Sequence, residues 1–310
     1  MICYPPAKES SAYDIPGGVT SIGDNAFSGC ESLARITVPG SVTSIGDGAF
    51  ERCESLTDMI IPDSVTVFGE GVFAFCGDLM SVVLPDSVRN LGEYTFSGCR
   101  GLTDITIPSG VTSIGGDAFS GCSGLTKITI PGGVTAIGDS AFEDCENLTD
   151  MTIPNSVTTI GDSAFEDCKN LRKITIPSSV TSIGDGAFAY CENLENIAIP
   201  DGVTSIAEWM FYGCENLTDI TLPNSVTDIG DSAFEFCESL VKITIPDGVT
   251  SIGHSAFYGC AGLTDLTIPG SVTSIEDDAF EDCENLVLRG GADSYAAGYA
   301  RENGVAFAAE

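Results

Sequence analysis

The sequence has few basic residues, and this shortage excludes several kinds of partner. Lys and Arg number 12 against 45 Asp and Glu, which gives the 310 residues a formal net charge of −33. Binding to nucleic acid or to an anionic membrane surface requires clustered Lys and Arg that neutralise phosphate groups. We therefore expect neither as a partner. Long apolar runs are missing as well, so no membrane-spanning helix is predicted.

The scarcity of histidine argues against a catalytic or metal-binding role. His254 is the one histidine, and no Cys-x-x-Cys pair occurs anywhere in the sequence. Those residue types and spacings are the usual zinc ligands. Serine and threonine are abundant, but no base accompanies them in a pattern that would activate a nucleophile. The sequence therefore predicts a protein without enzymatic activity, cofactor or metal site.

A fixed repeat stands in place of these missing features. Hydrophobic residues make up 43% of the chain and the mean hydropathy is +0.21, values that rule out disorder driven by charge. Proline recurs at every twenty-third position from Pro16 to Pro269, and Phe27, Cys30 and Leu33 begin columns with the same step. A period of this length is typical of solenoids. We expect one uninterrupted repeat solenoid and not two domains.

A single unit is typical of a coil built mainly from β-structure. In residues 128–130 the two isoleucines share one face and the threonine takes the other, as in a strand with one buried side. Pro131 ends this strand because it has no N–H to donate, and a second short strand is predicted at 134–137. The spacing of Phe142 and Cys145 predicts a short helical or 3₁₀ turn. Stacked coils with parallel strands would bury their apolar residues against one another, with right-handed winding.

The unit L-x-x-I-T-I-P-x-S-V-T-S-I-G-x-x-A-F-x-x-C resembles the BspA-like, or Treponema pallidum type, leucine-rich repeat. The resemblance covers nearly the whole chain. It implies a right-handed leucine-rich-repeat fold with one coil per repeat unit, mainly β with short helical or 3₁₀ turns. It also implies that the cysteine column fills the buried Asn or Cys position of the family pattern. Local departures from the unit are Phe68, Leu91, Ala207, Met210 and Glu276.

Three segments are predicted along the chain. Residues 1–12 resemble a fragment of a segment that interrupts the array in longer relatives, 13–286 form the solenoid of twelve units, and 287–310 form a C-terminal cap. The cap is predicted to contain a strand, a short helix and a strand. Asp293 or Ser294 would cap the start of the helix and Gly304 would end it. The chain's first residues have no apolar segment typical of a secretion signal, so none is predicted in this chain.

The cysteine and acidic columns each allow two interpretations. Neighbouring cysteine Cα atoms would lie about 5 Å apart, which permits disulfides by distance, whereas Cβ vectors pointing the same way favour reduced, buried thiols. Two columns of carboxylates stack from coil to coil. One begins with Asp24 at a turn, and the other begins with Glu31 directly after the cysteine. Ca²⁺ could bridge the carboxylates of either column. The alternative is a solvated acidic face. The absence of the calcium-binding nonapeptide repeat favours that alternative.

Two surfaces are candidates for contact with a partner. The outward strand-centre column is mostly threonine, which fits either contact or simple strand propensity; its members include Thr106, Thr129, Thr152, Thr175, Thr221 and Thr244. Ile60 and Val83 interrupt it and would form a small apolar patch if exposed together. The second surface consists of aromatic residues in four successive units, at positions where other units carry small or acidic residues: Tyr190, Trp209, Tyr212, Phe236 and Tyr258. Such residues often anchor interfaces, and scattered surface aromatics are the alternative.

The resemblance also carries an expectation about function. Similar proteins occur on the surfaces of gut and oral bacteria and of parasitic protists, where the family is associated with attachment to host proteins and cells. We therefore expect a non-enzymatic protein-binding or adhesion module at the cell surface or outside the cell, with an unidentified protein partner. A structural scaffold without a host-binding role is the alternative.

Overall fold

The computed structural model describes residues 10–310 and divides the chain into two compact units, Met1–Ser156 and Val157–Glu310. Each unit is a parallel-strand solenoid with one coil per repeat, as the sequence predicts. Residues 1–9 of the predicted N-terminal segment lie outside the described residues. The proposed segment bounds 1–12, 13–286 and 287–310 stay a prediction.

Most coils of the first unit contribute a three-residue strand with a buried centre and a two-residue strand after the proline turn. The strands are β1 (Ala12–Asp14), β2 (Ser21–Ile22), β3 (Arg35–Thr37), β4 (Ser44–Ile45), β5 (Asp58–Ile60), β6 (Val67–Phe68), β7 (Ser81–Val83), β8 (Asn90–Leu91), β9 (Ser113–Ile114), β10 (Ala136–Ile137) and β11 (Asp150–Thr152). Three parallel sheets result, with the orders β1-β3-β5-β7, β2-β4-β6 and β8-β9-β10. Their register steps by one full repeat, as in the pair Asp58 and Ser81.

The second unit continues the same pattern and ends in a different motif. Its strands are β12 (Thr159–Ile160), β13 (Lys173–Thr175), β14 (Ser182–Ile183), β15 (Asn196–Ala198), β16 (Ser205–Ile206), β17 (Asp219–Thr221), β18 (Asp228–Ile229), β19 (Lys242–Ile243), β20 (Ser251–Ile252), β21 (Asp265–Thr267), β22 (Ser274–Ile275), β23 (Val287–Gly290) and β24 (Ala306–Ala309). Within this unit β13-β15-β17-β19, β16-β18-β20-β22 and β21-β23-β24 form parallel sheets.

The strands are shorter in places than the sequence predicts. In the coil at 128–130 the structure has a single parallel bridge, between Thr129 and Thr106, and not a full strand. The second strand of that coil is limited to β10, because the N–H of Val134 bonds to the carbonyl of Pro131 and closes a turn. Proline therefore shapes both strands, since it ends one and begins the turn before the other.

The segment around each phenylalanine is a series of short hydrogen-bonded turns, as the spacing predicts, without a continuous helical segment. The N–H of Cys30 bonds to the carbonyl of Phe27, and the N–H of Leu33 to that of Cys30, both three residues back. Two positions per coil have positive φ, in the first coil Asn25 at 55° and Gly29 at 71°. A helix needs negative φ throughout, so these two residues bend the chain from turn to turn. The same two positions have positive φ in all twelve coils.

A stack of phenylalanine rings forms the centre of each unit. Successive rings from Phe27 to Phe142 lie 5.4–5.6 Å apart between centroids, and those from Phe165 to Phe280 lie 5.2–5.7 Å apart. All are buried. Tyr13 tilts against Phe27, with 5.8 Å between ring centroids.

The C-terminal motif has the predicted strand, helix and strand. The helix α1 (Tyr295–Asn303) begins at Ser294, whose hydroxyl accepts the N–H of Ala297, and ends at Gly304 with φ 72°. Tyr299 on α1 lies edge-on to Phe280, with 5.8 Å between ring centroids, so the helix closes the apolar end of the last coil. No helix in residues 10–310 is long and apolar enough to cross a membrane.

Candidate functional site

The cysteine column lies inside the coils and belongs to the core. All twelve cysteines from Cys30 to Cys283 are buried thiols. Most of these thiols donate a hydrogen bond to a phenylalanine carbonyl of the preceding coil, as Cys53 Sγ does to the Phe27 carbonyl at 3.2 Å. Burial raises the pKa of the Cys122 thiol to about 12. The prediction of reduced, buried thiols is therefore confirmed, and these residues are not nucleophiles.

The acidic turn column bonds neighbouring coils to one another. Asp24 Oδ1 accepts the backbone N–H of Asp47 at 3.1 Å, and Asp231 Oδ1 accepts that of His254 at 2.8 Å. Three further members of the column make the same contact: Asp47, Asp162 and Asp185. Across the part of the chain that the structure describes, no three His, Cys, Asp or Glu side chains are grouped to hold a metal ion. The carboxylates of this column therefore have a structural role. The described residues offer no set of ligands in support of the calcium interpretation.

Serine and threonine hydroxyls make similar contacts between coils, which explains their abundance. Thr227 Oγ1 donates to the carbonyl of Thr204 at 3.2 Å, and Ser225 Oγ donates to that of Val203 at 2.6 Å. Each contact recurs in other coils at the same repeat position. In these residues a carbonyl, and not a general base, orients the hydroxyl, so they do not form activated nucleophiles.

The predicted threonine surface is exposed in both units. All six named members are exposed: Thr106, Thr129, Thr152, Thr175, Thr221 and Thr244. Ile60 and Val83, which interrupt the column, are 69% and 57% exposed and are direct register partners in β5 and β7. They form the small apolar patch that the sequence suggests. A binding role for the threonine column stays a prediction.

Four of the five predicted aromatic residues form a continuous row in the second unit. The ring centroids of Tyr190 and Tyr212 are 5.1 Å apart, those of Tyr212 and Phe236 5.7 Å, and those of Phe236 and Tyr258 5.4 Å. The interplanar angles of 70–87° give the edge-to-face geometry that aromatic pairs favour. Tyr190 is 40% exposed. We call Tyr190, Trp209, Tyr212, Phe236 and Tyr258 the aromatic cluster.

Three members of the aromatic cluster lie at the positive-φ positions of their coils. The values are 55° for Tyr190, 53° for Trp209 and 58° for Phe236. Positive φ suits glycine and costs other residues about 1–2 kcal/mol, and it is unusual for bulky side chains. Trp209 is 48% exposed, so burial in the core does not compensate this cost. Strain of this kind at an exposed residue points towards function.

Glycines in the following coil leave room for two of these rings. A Cβ atom added to Gly213 would lie 3.0 Å from Cδ1 of Tyr190, and one added to Gly259 would lie 2.8 Å from Cδ1 of Phe236. Each ring therefore lies over bare backbone at a place where a larger residue would collide with it. The missing side chains of these glycines give the rings room on the surface.

A cavity of about 570 Å³ opens beside the aromatic cluster. Trp209 lies in its wall together with Tyr190 and Tyr212, so it joins the cluster through this cavity. Every charged side chain of the lining is acidic: Asp162, Glu166 and Asp185. Burial, followed by the nearby Tyr190 and Glu235, raises the pKa of Tyr212, so its hydroxyl stays protonated at neutral pH. The cavity combines aromatic walls with negative charge.

Comparison of the sequence with models of known protein families identifies the family of this repeat. The model of the BspA type leucine rich repeat region matches residues 7–122, 68–195 and 158–287, which together span most of the chain. The chain belongs to the BspA-type leucine-rich-repeat family. No curated protein matches it.

Two solved structures agree with this assignment along almost the whole BspA-type chain. A leucine-rich repeat protein from Bacteroides ovatus is 35% identical, with a TM-score of 0.87 over 96% of this chain and 77% of that one. A leucine rich cell surface protein from Faecalibacterium prausnitzii is 30% identical, with a TM-score of 0.65 over 97% and 87% of the two chains. Leucine-rich-repeat proteins of this kind are generally non-enzymatic, and the fold is consistent with a protein-interaction module.

Sequence reasoning overlooked a second aromatic group in this BspA-type chain. Phe75 and Tyr94 in the first unit are each 47% exposed and have φ of 59° and 57°. They occupy the repeat positions of Tyr190 and Trp209, five repeats earlier. Comparison of the coils position by position would have revealed them, because aromatic residues are rare at both positions.

Proposed function

We propose that this chain is a protein-binding module that acts at the cell surface or outside the cell, with the aromatic cluster as its contact surface. The observation that carries the proposal is the exposure of large aromatic side chains at positive φ. Most other coils fill these positions with glycine, serine, asparagine or aspartate, which adopt positive φ with less strain. Retaining Tyr, Trp and Phe there makes sense if the rings contact a partner.

The location outside the cell and the adhesive role rest on the family. The Faecalibacterium prausnitzii relative is described as a cell surface protein. The strongly acidic surface and the absence of clustered basic residues fit a protein partner better than nucleic acid or an anionic membrane. Attachment to host proteins is the form of binding that we propose, and an inert scaffold is the alternative that the experiment must exclude.

A phage-displayed library of random peptides, selected on the immobilised full chain, tests the contact surface while the natural partner is still unidentified. The selected peptides are then measured against the double variant Trp209→Ser/Tyr212→Ser. Both changes introduce residues that other coils carry at the same positions, so folding is retained. We expect the peptides to lose about tenfold or more in affinity, because aromatic anchors dominate interface energies.

A matched control is the double variant Ile60→Thr/Val83→Thr, which removes the exposed apolar pair of the first unit and restores the threonine column. We expect unchanged peptide binding in that variant. Failure to select any peptide, or equal loss in both double variants, would favour the scaffold. Antibody labelling of intact and lysed cells of the source organism tests location, and labelling only after lysis would contradict the surface proposal.

A further inference from the structure

The two aromatic groups belong to two pockets that are built alike, one in each unit. Three successive coils of each pocket correspond, of which the first two supply carboxylates and the last two supply aromatic walls; in the first pocket Asn25 of the preceding coil also lines the cavity. The first pocket is defined by Asp47, Glu51, Glu70, Phe75 and Tyr94. The second pocket is defined by Asp162, Glu166, Asp185, Tyr190, Trp209 and Tyr212. Corresponding residues are separated by five repeats throughout.

Small residues form the floor of both pockets. Gly71 and Ala74 lie in the middle coil of the first pocket, and Gly186 and Ala189 take the same positions in the second. Alanine occurs at the repeat position of Ala74 only in these two coils of the sequence, and elsewhere the position carries Ser, Glu or Tyr. The space is therefore created by particular residues in two of the twelve coils, and it does not follow from the fold alone.

The pockets differ in volume for a reason visible in the sequence. Their volumes are about 270 Å³ for the first and about 570 Å³ for the second. Tyr212 adds a wall to the second pocket, where the first unit has the buried Ser97 at the same repeat position. The second pocket has room for a complete long side chain of a partner.

Aromatic faces beside carboxylates are the surroundings that a guanidinium group requires. Its planar face stacks on aromatic rings, and its N–H groups donate to carboxylates. All charged side chains that line the two pockets are acidic, with no lysine, arginine or histidine among the described lining residues. An anionic ligand would be repelled, and a purely apolar ligand would leave the carboxylates poorly solvated.

The chain already shows this chemistry with one of its own arginines. Arg52 Cζ lies 5.5 Å from the ring centroid of Phe75, and Arg52 Nε lies 3.7 Å from Oε1 of Glu51. One internal cation therefore contacts both an aromatic wall and a carboxylate of the first pocket. Five repeats later the corresponding residue is Asp167. Asp167 Oδ1 lies 3.4 Å from Lys169 Nζ, so this position of the second unit carries an ion pair and no arginine.

We propose that each pocket binds an arginine side chain of a partner protein, and that the second pocket binds it more tightly because no arginine among the residues 10–310 that the structure describes lies on its aromatic wall. This inference rests on the proposed protein-binding function. The net charge of −33 would steer a basic segment towards the chain. The pockets then select arginine over lysine through stacking of the planar group.

Trp209 makes the experiment specific, because it is the one tryptophan of the sequence and lies in the second pocket. Its fluorescence is titrated with blocked Gly-Arg-Gly-Arg-Gly at fixed ionic strength, and with the same peptide carrying Lys or Gln in place of Arg. We expect saturable quenching by the Arg peptide, several-fold weaker binding of the Lys peptide and no binding of the Gln peptide. Equal binding of all three peptides would overturn the proposal.

Two variants separate the pocket from bulk charge. Tyr190→Gly keeps the net charge and introduces the residue most suited to positive φ, so it tests the aromatic wall without loss of folding. We expect about tenfold weaker binding of the Arg peptide. Glu166→Gln should weaken binding several-fold, whereas Glu238→Gln, which removes an exposed carboxylate outside the pocket, should leave it unchanged. Equal effects of the two glutamine substitutions would reduce the interaction to bulk attraction and refute the site.

Binding in the first pocket is tested by moving the fluorescent tryptophan from the second pocket to the first. In Trp209→Tyr/Tyr94→Trp the single tryptophan takes the corresponding position of the first unit. We expect weaker quenching by the Arg peptide there, and a several-fold gain when Arg52→Asp is added, because this change reproduces the second pocket. No gain would refute the equivalence of the pockets.

The library experiment distinguishes failure of this inference from failure of the proposed function. Peptides that depend on Trp209 and Tyr212 but show no enrichment of arginine would leave the contact surface standing and overturn the arginine site. Arginine-rich peptides that lose binding in Tyr190→Gly would support both.

Discussion

The buried cysteine column predicts a steep loss of stability at alkaline pH. Burial, and in some coils the neighbouring cysteines, raise the thiol pKa from the usual value of 9.0. The thiols concerned are Cys53, Cys76, Cys99 and Cys122 in the first unit and Cys191, Cys214, Cys237 and Cys260 in the second. Burial also raises the pKa of Cys283 in the second unit, to about 11, so each unit holds at least four thiols whose ionisation is favoured by unfolding.

The sign of the effect follows from proton linkage. Below pH 9 both folded and unfolded thiols carry their protons, so this contribution to stability is complete. Between pH 9 and the raised folded pKa, about 12 for Cys122, the unfolded chain binds fewer protons than the folded chain. The free energy of unfolding then falls by about 1.4 kcal/mol per pH unit for each thiol. Four thiols give about 5 kcal/mol per pH unit, comparable with the stability of an ordinary domain.

Circular dichroism and thiolate absorbance, followed together as the pH rises from 8 under reducing conditions, test this reasoning. We expect both signals to change in the same narrow interval, about one to two pH units above 9. Concentrated salt screens the surface carboxylates and should leave the slope in place, and Cys99→Ser should reduce the first unit's slope by about a quarter. Thiolate absorbance that rises near pH 9 while the dichroism stays unchanged would refute the argument.

Three further predictions concern the turns and the surface charge. Gly29 and Gly98 both have φ near 70°, but only Gly98→Ala places a Cβ 2.7 Å from Cδ1 of Phe75. Denaturant unfolding should show about 1 kcal/mol more destabilisation for Gly98→Ala than for Gly29→Ala. Equal losses of stability would contradict the ring contact. Asp231→Ala removes the acceptor of the His254 N–H and should destabilise the fold by about 1 kcal/mol, whereas Asp231→Asn keeps an acceptor oxygen and should not; equal effects would show that charge alone matters. Added salt should raise the melting temperature, because the net charge of −33 repels itself, and a flat salt profile would contradict this.

The solenoid was accessible from the sequence because one period governs every buried column. The fixed spacing of proline, phenylalanine, cysteine and leucine predicted parallel coils, and the buried thiols followed from the column that contains Cys30. The ends of the strands were less accessible. Whether residues 128–130 pair fully or only at Thr129 depends on the relative position of two coils, and the repeat pattern is the same in both cases.

The turns and the acidic column illustrate what a repeat pattern leaves open. The spacing from Phe27 to Cys30 is compatible with a 3₁₀ turn, and only the backbone angles of Asn25 and Gly29 show that the chain reverses direction there. In the same way, aligned carboxylates suggest repulsion or a cation site. The structure adds a third role, since Asp24 accepts the N–H of Asp47 in the next coil. The aromatic pockets depend on comparison of unlike residues at equivalent positions, which a consensus unit conceals.

The two positive-φ positions of each coil explain how an array of near-identical repeats can carry a specific surface. Their backbone is held by hydrogen bonds between coils, such as that from Asn25 N–H to the Asp47 carbonyl at 2.8 Å, and it keeps positive φ whether the residue is Gly, Ser, Asp, Arg or Trp. A substitution there changes the surface and costs about 1–2 kcal/mol of strain, but it leaves the buried columns untouched. Strain of this size is added one residue at a time, and within each unit the buried core supplies the stability that offsets it. The residues concerned are Phe75, Tyr94, Tyr190, Trp209 and Phe236. Binding specificity can therefore change at these positions without any change of fold.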